Sequence, residues 1–244
     1  MPLLSVHQLS LTLGEQHILR GVDFSVEEGS VIGIIGPNGS GKTTLFNVLS
    51  GFLAPTHGVI KFRDTDITEM PAHERARIGI GRVFQNFGVF REMTLEENVR
   101  VALEALGPTH QLALGDFDKK IAETLRMVGL FEHRSKLAGS LSGGQMRLLE
   151  ISRTLAAGKD LFLLDEPTAG VSPKMRGDIA ALIQELKLSH KTVLVIEHDL
   201  PFIRKICDHV IVLDIGSIAL HGTPDEVSAS KKLKELYFGA DPTN

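Results

Sequence analysis

A glycine-rich stretch near the N-terminus has the residue types that bind the phosphates of a nucleotide. It reads GPNGSGKTT and fits the pattern Gly-x4-Gly-Lys-Ser/Thr. Its glycines let backbone N–H groups converge on a β-phosphate, while Lys42 adds a positive charge towards the β- and γ-phosphates. The hydroxyl of Thr43 is suited to ligand Mg²⁺. The nucleotide-binding residues predicted here are Gly36, Pro37, Asn38, Gly39, Ser40, Gly41, Lys42, Thr43 and Thr44.

An acidic stretch, LFLLDEPTAG, supplies the second half of a nucleotide site. Asp165 ends its apolar run and Glu166 follows directly. Because ligands of open α/β sheets bind at the carboxyl edge, we expect Asp165 there, holding Mg²⁺ through water. Glu166 is then within reach of the γ-phosphate and is a candidate to polarise the attacking water. Alone, such a stretch is more often a strand end that meets solvent. After a phosphate-binding loop, it indicates nucleotide hydrolysis.

Three further motifs stand in a fixed order around these two stretches. Gln85 lies in RVFQNFG, LSGGQ spans Leu141–Gln145, and His198 lies in VIEHD, beyond the apolar run that follows Asp165. A lone glutamine or histidine is more often structural, and the chain has ten histidines. The five ordered motifs together resemble those of the ABC-type ATPases, from residue 4 to about residue 238.

The resemblance implies a role for each matched residue. Glu166, His198 and Gln85 are implied as catalytic residues, with Gln85 in the family's Q-loop and His198 as its switch histidine. Thr43, Gln85 and Asp165 are implied as Mg²⁺ ligands, and ATP and Mg²⁺ as the cofactors. The implied activity is ATP hydrolysis coupled to transport, in a translocase.

The LSGGQ motif is interpreted as a second γ-phosphate site, one without a lysine. Ser142 offers a hydroxyl, Gly143 and Gly144 allow close backbone approach, and the positive end of a helix favours an anion. In the ABC family two copies pair head to tail, and each signature closes over the ATP of its partner. The alternative is a helix cap softened by glycine. The predicted signature residues are Leu141, Ser142, Gly143, Gly144 and Gln145.

Within the family, four segments look most like the ATPase subunits of branched-chain or hydrophobic amino-acid importers. They read FQNFGVFREMTLEENV, GGQMRLLEISRTLA, EPTAGVSPK and IEHDLPFI. The implied partners are a second copy of the chain or a homologous ATPase subunit, transmembrane permease subunits and, indirectly, a substrate-binding protein. The implied location is the cytoplasmic face of the cell membrane, held there by the permease.

Two other functions remain open on the sequence. One is the ATPase of lipopolysaccharide export, and the other is a soluble ABC ATPase without a permease. A P-loop GTPase is disfavoured because no Asn-Lys-x-Asp motif occurs, and a P-loop kinase is disfavoured because it has no use for LSGGQ. Phe87, Val89 and Phe90 are equally consistent with a patch that receives a permease helix and with local core.

Two departures from the family pattern affect the expected site. Residues 169–172 read AGVS, so Ser172 stands where the family often has an aspartate. Leu13 aligns with an aromatic residue that stacks on adenine, because it precedes a glycine and lies 29 residues before Lys42. His17 is the rival for that contact. Leu13 is therefore added to the predicted ATP-binding residues, with weak base recognition expected.

Composition sets outer limits on the function. The net charge of −4 and charged fraction of 23% offer no excess of basic residues, so we expect no nucleic-acid partner. The single cysteine, Cys207, excludes a disulfide within the chain. No apolar run reaches the roughly 18 residues of a membrane-spanning helix, and MPLLSVHQLS lacks the features of a secretion signal.

These residues need an α/β scaffold. Val22, Phe24 and Val26 alternate as in antiparallel strands before the buried run VIGII, and residues 161–199 predict a parallel β-α-β unit. We predict one ABC-type ATPase domain over residues 1–244, with a RecA-like P-loop NTPase core (about 1–89 and 140–244), an N-terminal antiparallel β subdomain and an inserted helical subdomain (about 90–139). The hairpin HVIVLDIGSIALHG and a helical tail complete it.

Overall fold

The chain folds into two β-sheets and a set of helices, in a computed structural model that describes residues 1–84, 88–105 and 114–238. In chain order the strands are β1 (Pro2–Leu13), β2 (Gln16–Glu27), β3 (Val31–Ile35), β4 (His57–Phe62), β5 (Thr65–Asp66), β6 (Ile80–Val83), β7 (Leu161–Asp165), β8 (Thr192–Ile196), β9 (His209–Asp214) and β10 (Ser217–Gly222). The α-helices are α1 (Lys42–Leu49), α2 (Ala72–Arg77), α3 (Leu95–Glu104), α4 (Leu114–Met127), α5 (Gly143–Ala156), α6 (Pro173–Leu188), α7 (Leu200–Ile206), α8 (Pro224–Ala229) and α9 (Lys231–Phe238).

The smaller sheet is antiparallel and has the strand order β2-β1-β4-β5. The predicted alternation is present, since Val22 and Val26 are buried and pair with Leu9 and Leu4 of β1. A two-residue turn at Gly14, which has φ +60°, joins β1 to β2. The sequence pattern does not predict β4 and β5, which add to this sheet.

The larger sheet has the order β10-β9-β3-β8-β7-β6 and supports the site. Strands β9, β3, β8, β7 and β6 are parallel, and β10 pairs antiparallel with β9. Every residue of β3, β7 and β8 is buried, as expected of parallel strands covered on both faces. The predicted β-α-β unit is confirmed as β7-α6-β8, and the predicted hairpin as β9-β10.

Alternate residues of these strands enter two separate hydrophobic cores. In β7, Leu161 and Leu163 face the core that contains α1 and the antiparallel sheet. Phe162 and Leu164 face the core that contains the buried side chains of α3 to α6. The large sheet therefore lies between the N-terminal β layer and the helices. This architecture confirms the predicted fold class.

The helices α3 and α4 cover the stretch predicted to be a helical subdomain. Thr94 begins α3 with a capping box that it forms with Glu97. The next helix, α5, packs against α3 and α4 and also against α6. It therefore joins the helical group to the parallel sheet. The division of the chain near residues 89 and 139 stays a prediction.

Candidate active site

The carboxyl ends of neighbouring parallel strands bring the predicted site residues to one edge of the large sheet. The phosphate-binding loop follows β3, Asp165 ends β7, and His198 follows β8. The strands are in register, because Ile196 pairs with Ile34 on one side and with Asp165 on the other. The strand β6 is parallel to β7 and ends at the same edge. Gln85, which comes two residues after β6, lies outside the described residues.

The phosphate-binding loop leads directly into α1. Gly41, the residue before this helix, has φ +103°, and no side chain caps the first turn. The leading amide groups of an uncapped helix are donors suited to an anion. Gly36 has φ +150°, and a Cβ atom there would lie 2.1 Å from the carbonyl oxygen of Leu213. Position 36 therefore requires glycine both for its positive φ and for the close approach of the Leu213 carbonyl.

Lys42 points back into the loop. Its Nζ atom donates to the carbonyl oxygens of Gly36 and Pro37, both at 2.9 Å. Burial lowers the pKa of Lys42, while the charges of Glu166 and Asp165 oppose that change. The lysine and the two carboxylates therefore share one electrostatic environment, as a site for phosphates and a cation requires.

Asp165 is buried and paired with an arginine that sequence reasoning missed. Arg82, on β6, lies 3.1 Å from Oδ2 of Asp165, and both side chains are only 5% exposed. Arg82 also donates to Oδ1 of Asn47 in α1 at 2.6 Å and to Oγ of Ser50, the C-cap residue of that helix, at 3.0 Å. Burial raises the pKa of Asp165, and Arg82 opposes that increase. A charged residue inside the apolar stretch IGRVF was the available signal.

Glu166 and His198 are in direct contact. Oε1 of Glu166 lies 2.7 Å from Nε2 of His198. The Glu166 backbone has φ +47°, a left-handed conformation that is uncommon for a residue with a side chain. Its N–H group donates to the carbonyl oxygen of Ile196, which fixes the turn after β7 to β8. The structure therefore brings together two of the residues that the resemblance implies as catalytic, Glu166 and His198.

Glu197, a buried glutamate that sequence reasoning also missed, links the segment after Glu166 to the segment that carries His198. Oε1 of Glu197 accepts hydrogen bonds from the backbone N–H and the hydroxyl of Thr168, at 2.9 and 2.6 Å. Its other oxygen accepts from the backbone N–H of His198 at 3.2 Å. Glu197 is 4% exposed, so its carboxylate is held inside the protein by these contacts.

The signature motif begins α5. Ser142 is exposed and forms a capping box with Gln145, whose side-chain Oε1 accepts from the N–H and the hydroxyl of Ser142. Leu141 is buried in the helical core. A Cβ atom on Gly144 would lie 2.7 Å from Cγ of Met175, on α6. Gly144 therefore permits close packing within the chain, a function that the sequence interpretation did not include.

The remaining predicted residues differ in their exposure. Leu13 ends β1 and is 48% exposed, and Nδ1 of His17 lies 2.9 Å from the hydroxyl of Thr12. Val89 packs partly against the core, whereas Phe90 is 44% exposed beneath the guanidinium of Arg153. Phe87, the third residue of the expected patch, lies outside the described residues. Ser172 caps α6 by accepting from the Met175 N–H group.

The arrangement defines a P-loop nucleoside triphosphatase, because an open helix N-terminus, a lysine, an acidic strand end and a glutamate–histidine pair meet at one sheet edge. Comparison with known proteins then gives the family. The model of the ABC transporter family matches residues 19–169. The chain belongs to the ATP-binding proteins of ABC transporters, and it is an ATPase.

The curated relatives extend this similarity over the whole chain. The high-affinity branched-chain amino acid transport ATP-binding protein BraF of Pseudomonas aeruginosa is 39% identical over 98% of both chains. The corresponding protein LivG of Escherichia coli K12 is 35% identical over 98% of both chains.

Solved structures share the fold. A nucleotide-free ATP-binding cassette of an ABC transporter has a TM-score of 0.87 and 34% identity, covering 98% of this chain and 100% of its own. A dimeric cassette in a post-hydrolysis state with ADP and phosphate has a TM-score of 0.80 and 27% identity, covering 91% of this chain and 98% of its own. The chain thus has the fold of the ATP-binding cassettes of ABC transporters.

Proposed function

We propose that this ATPase powers the uptake of branched-chain or other hydrophobic amino acids through a membrane permease. The contact between Glu166 and His198, beside Lys42 and Asp165, supports the hydrolysis step. The amino-acid substrate is proposed from the two importer relatives, BraF and LivG, which match over almost the full length. These relatives do not favour lipopolysaccharide export or a soluble role.

The residues present fit ATP with Mg²⁺. Thr43 is exposed in the first turn of α1, and Asp165 presents a carboxylate at the end of β7. We propose that these two oxygens and Gln85 hold the cation, which neutralises phosphate charge when it is bound. Lys42 and the uncapped start of α1 bind the phosphates. Glu166 orients the attacking water and accepts its proton, and His198 holds the Glu166 carboxylate in place.

Two chains, or this chain and a homologous subunit, complete each site in the proposed assembly. The exposed Ser142 at the start of α5 would face the γ-phosphate bound by the other chain. The dimeric cassette with ADP and phosphate supports this arrangement. Hydrolysis of the bound ATP would then open the interface between the two chains, because the γ-phosphate contacts both of them.

A groove on the helical side is the proposed permease site. It has a volume of about 870 Å³ and lies between α2, α3 and α5. Ala76 of α2, Ala102 of α3 and Ala105, which directly follows α3, line it together with Phe84 and Arg153. Small apolar residues at the rim leave room for a short helix to enter.

Among the described residues, no helix is both long and apolar enough to cross a membrane. We propose that the chain sits at the cytoplasmic face of the membrane through this groove, and that a substrate-binding protein acts on the other side of the permease.

Filling the groove is expected to separate transport from hydrolysis. In proteoliposomes that contain the chain together with its permease partner, ATP should drive uptake of labelled leucine. Ala105→Arg should reduce that uptake at least about tenfold, because an arginine fills the space that a permease helix needs. The ATPase rate of the isolated chain should stay within about twofold, since Ala105 follows α3, a helix that carries no residue of the nucleotide site.

Ala181→Arg is the matched control, because Ala181 is an exposed alanine on α6 that does not line the groove. Normal uptake with Ala105→Arg would place the permease elsewhere. If no amino acid is carried but lipopolysaccharide is extracted, the proposed substrate class is wrong.

Base recognition is expected to be weak. Leu13 keeps apolar contact with a base but lacks the flat overlap of an aromatic ring, which is worth about 1–3 kcal/mol. GTP should therefore support turnover within about tenfold of ATP, and Leu13→Tyr should tighten ATP binding several fold, by about 1 kcal/mol. Titration of both nucleotides into each variant measures this.

The variant His17→Ala tests whether His17, and not Leu13, contacts the base. If His17 stacks on the base, its loss weakens ATP binding and Leu13→Tyr has little effect. His17 would then have to leave its contact with Thr12 or stack while keeping it. Strong ATP selectivity that neither variant alters would mean that the base binds elsewhere.

A further inference from the structure

The last helix of the described chain reaches the phosphate-binding loop. Tyr237, the only tyrosine in the sequence, lies on α9. Its hydroxyl oxygen accepts a hydrogen bond from the backbone N–H of Gly36 at 3.0 Å. The two residues are 201 positions apart, and Gly36 is the first residue of the loop. No step of ATP hydrolysis described above uses this contact.

The helix is anchored well enough to hold the tyrosine in place. Leu233 is 4% exposed and belongs to the core formed by the helices and the large sheet. Leu236 and the ring of Tyr237 pack against the same core. The hydroxyl is thus presented to Gly36 by a packed helix. Burial also raises the pKa of Tyr237, so the hydroxyl stays protonated at neutral pH.

Gly36 is fixed on three sides by contacts of different kinds. Tyr237 holds its N–H group, and Nζ of Lys42 holds its carbonyl oxygen. Its Cα faces the carbonyl of Leu213 so closely that no side chain would fit. One residue therefore links the C-terminal helix to the lysine that binds phosphate. The N–H and the carbonyl of Gly36 belong to two peptide groups joined at its Cα, so a change in the backbone torsions of Gly36 would move the carbonyl that accepts from Lys42.

We propose that Tyr237 is a positioning residue for the phosphate-binding loop, through which the C-terminal helix sets the affinity for nucleotide phosphates. The inference rests on nucleotide binding by this loop and does not depend on the transported solute. It requires that the hydroxyl, and not only the packed ring, contributes to binding.

Tyr237→Phe tests the hydroxyl alone, because the ring and its packing remain. The dissociation constants of Mg·ADP and of a non-hydrolysable ATP analogue should rise about three- to tenfold, the effect of one lost hydrogen bond. The dissociation constant of AMP, measured by competition with ADP, should change by less than about 1.5-fold, because AMP lacks the β-phosphate that the loop binds. The kcat at saturating ATP should stay within about twofold.

Two further variants separate positioning from folding. Leu186→Ala removes a buried side chain from the same core but from α6 instead of α9, so it should lower the thermal midpoint and leave ADP affinity unchanged. Lys42→Ala should abolish ADP binding, which shows that the assay reports the loop. The inference fails if Tyr237→Phe binds ADP like the unaltered protein, if AMP binding weakens as much as ADP binding, or if Leu186→Ala produces the same selective loss.

Discussion

Replacing Glu166 with glutamine is expected to preserve ATP binding and to reduce turnover by about 10² to 10⁴. An amide cannot accept a proton from water as the carboxylate does, yet it has the same shape. The contact between position 166 and Nε2 of His198, 2.7 Å long here, can persist because an amide both donates and accepts. Lys42, Thr43 and Asp165 are unchanged, so the phosphate and Mg²⁺ sites should remain.

Phosphate release and calorimetric titration with Mg·ATP measure the two effects separately. Glu185→Gln is the matched control, because Glu185 is an exposed glutamate on α6, and its turnover should be normal. With ATP, the Glu166→Gln protein should run as a dimer by gel filtration, and as a monomer without nucleotide. Unimpaired hydrolysis in this variant would contradict the assignment of Glu166.

Local sequence patterns predicted the elements whose chemistry is local. The alternation of Val22, Phe24 and Val26 predicted an antiparallel strand because side chains in a strand alternate between faces. The run ending at Asp165 predicted a buried parallel strand, and its carboxyl end predicted the place of the acidic residue. Glu166 and His198 were separately implied, and the register of β7 with β8 explains why they meet.

Contacts that depend on strand order could not be predicted in the same way. Arg82 reaches Asp165 because β6 and β7 are neighbours, although the two residues are 83 positions apart. Glu197 reaches Thr168 because β8 lies on the other side of β7. Local sequence patterns carry no signal for which strands become neighbours. The same holds for Gly144. The sequence interpretation explained its small size by the approach of a phosphate, whereas the fold explains it by close packing against Met175.

The conformation of Glu166 was also beyond prediction. A glutamate has no sequence signal for a positive φ, which is costly for a residue with a side chain. The value of +47° is imposed by the hydrogen bond from its amide to Ile196 and by the contact with His198. Strain of this kind is held by surrounding structure and concentrates at functional sites.

Mixing two inactive variants is expected to restore activity, and this result would distinguish a shared site from a self-contained one. Ser142→Arg should bind ATP normally as a single chain but hydrolyse none as a homodimer, because the arginine fills the space for the partner's γ-phosphate. Lys42→Ala should fail to bind ATP. In a mixed dimer, one of the two sites combines the intact loop of the first variant with the intact signature of the second.

Random mixing makes about half of the dimers mixed, and each has one working site, so about a quarter of the unaltered activity should return. Ser142 also caps α5, and loss of a cap costs about 1 kcal/mol, so the inactivity of Ser142→Arg needs its own control. Thr94→Arg removes the same type of capping box from α3 and should leave hydrolysis intact. If differently tagged chains form mixed dimers that stay inactive, each chain does not complete its partner's site, and the exposed Ser142 serves only as a helix cap.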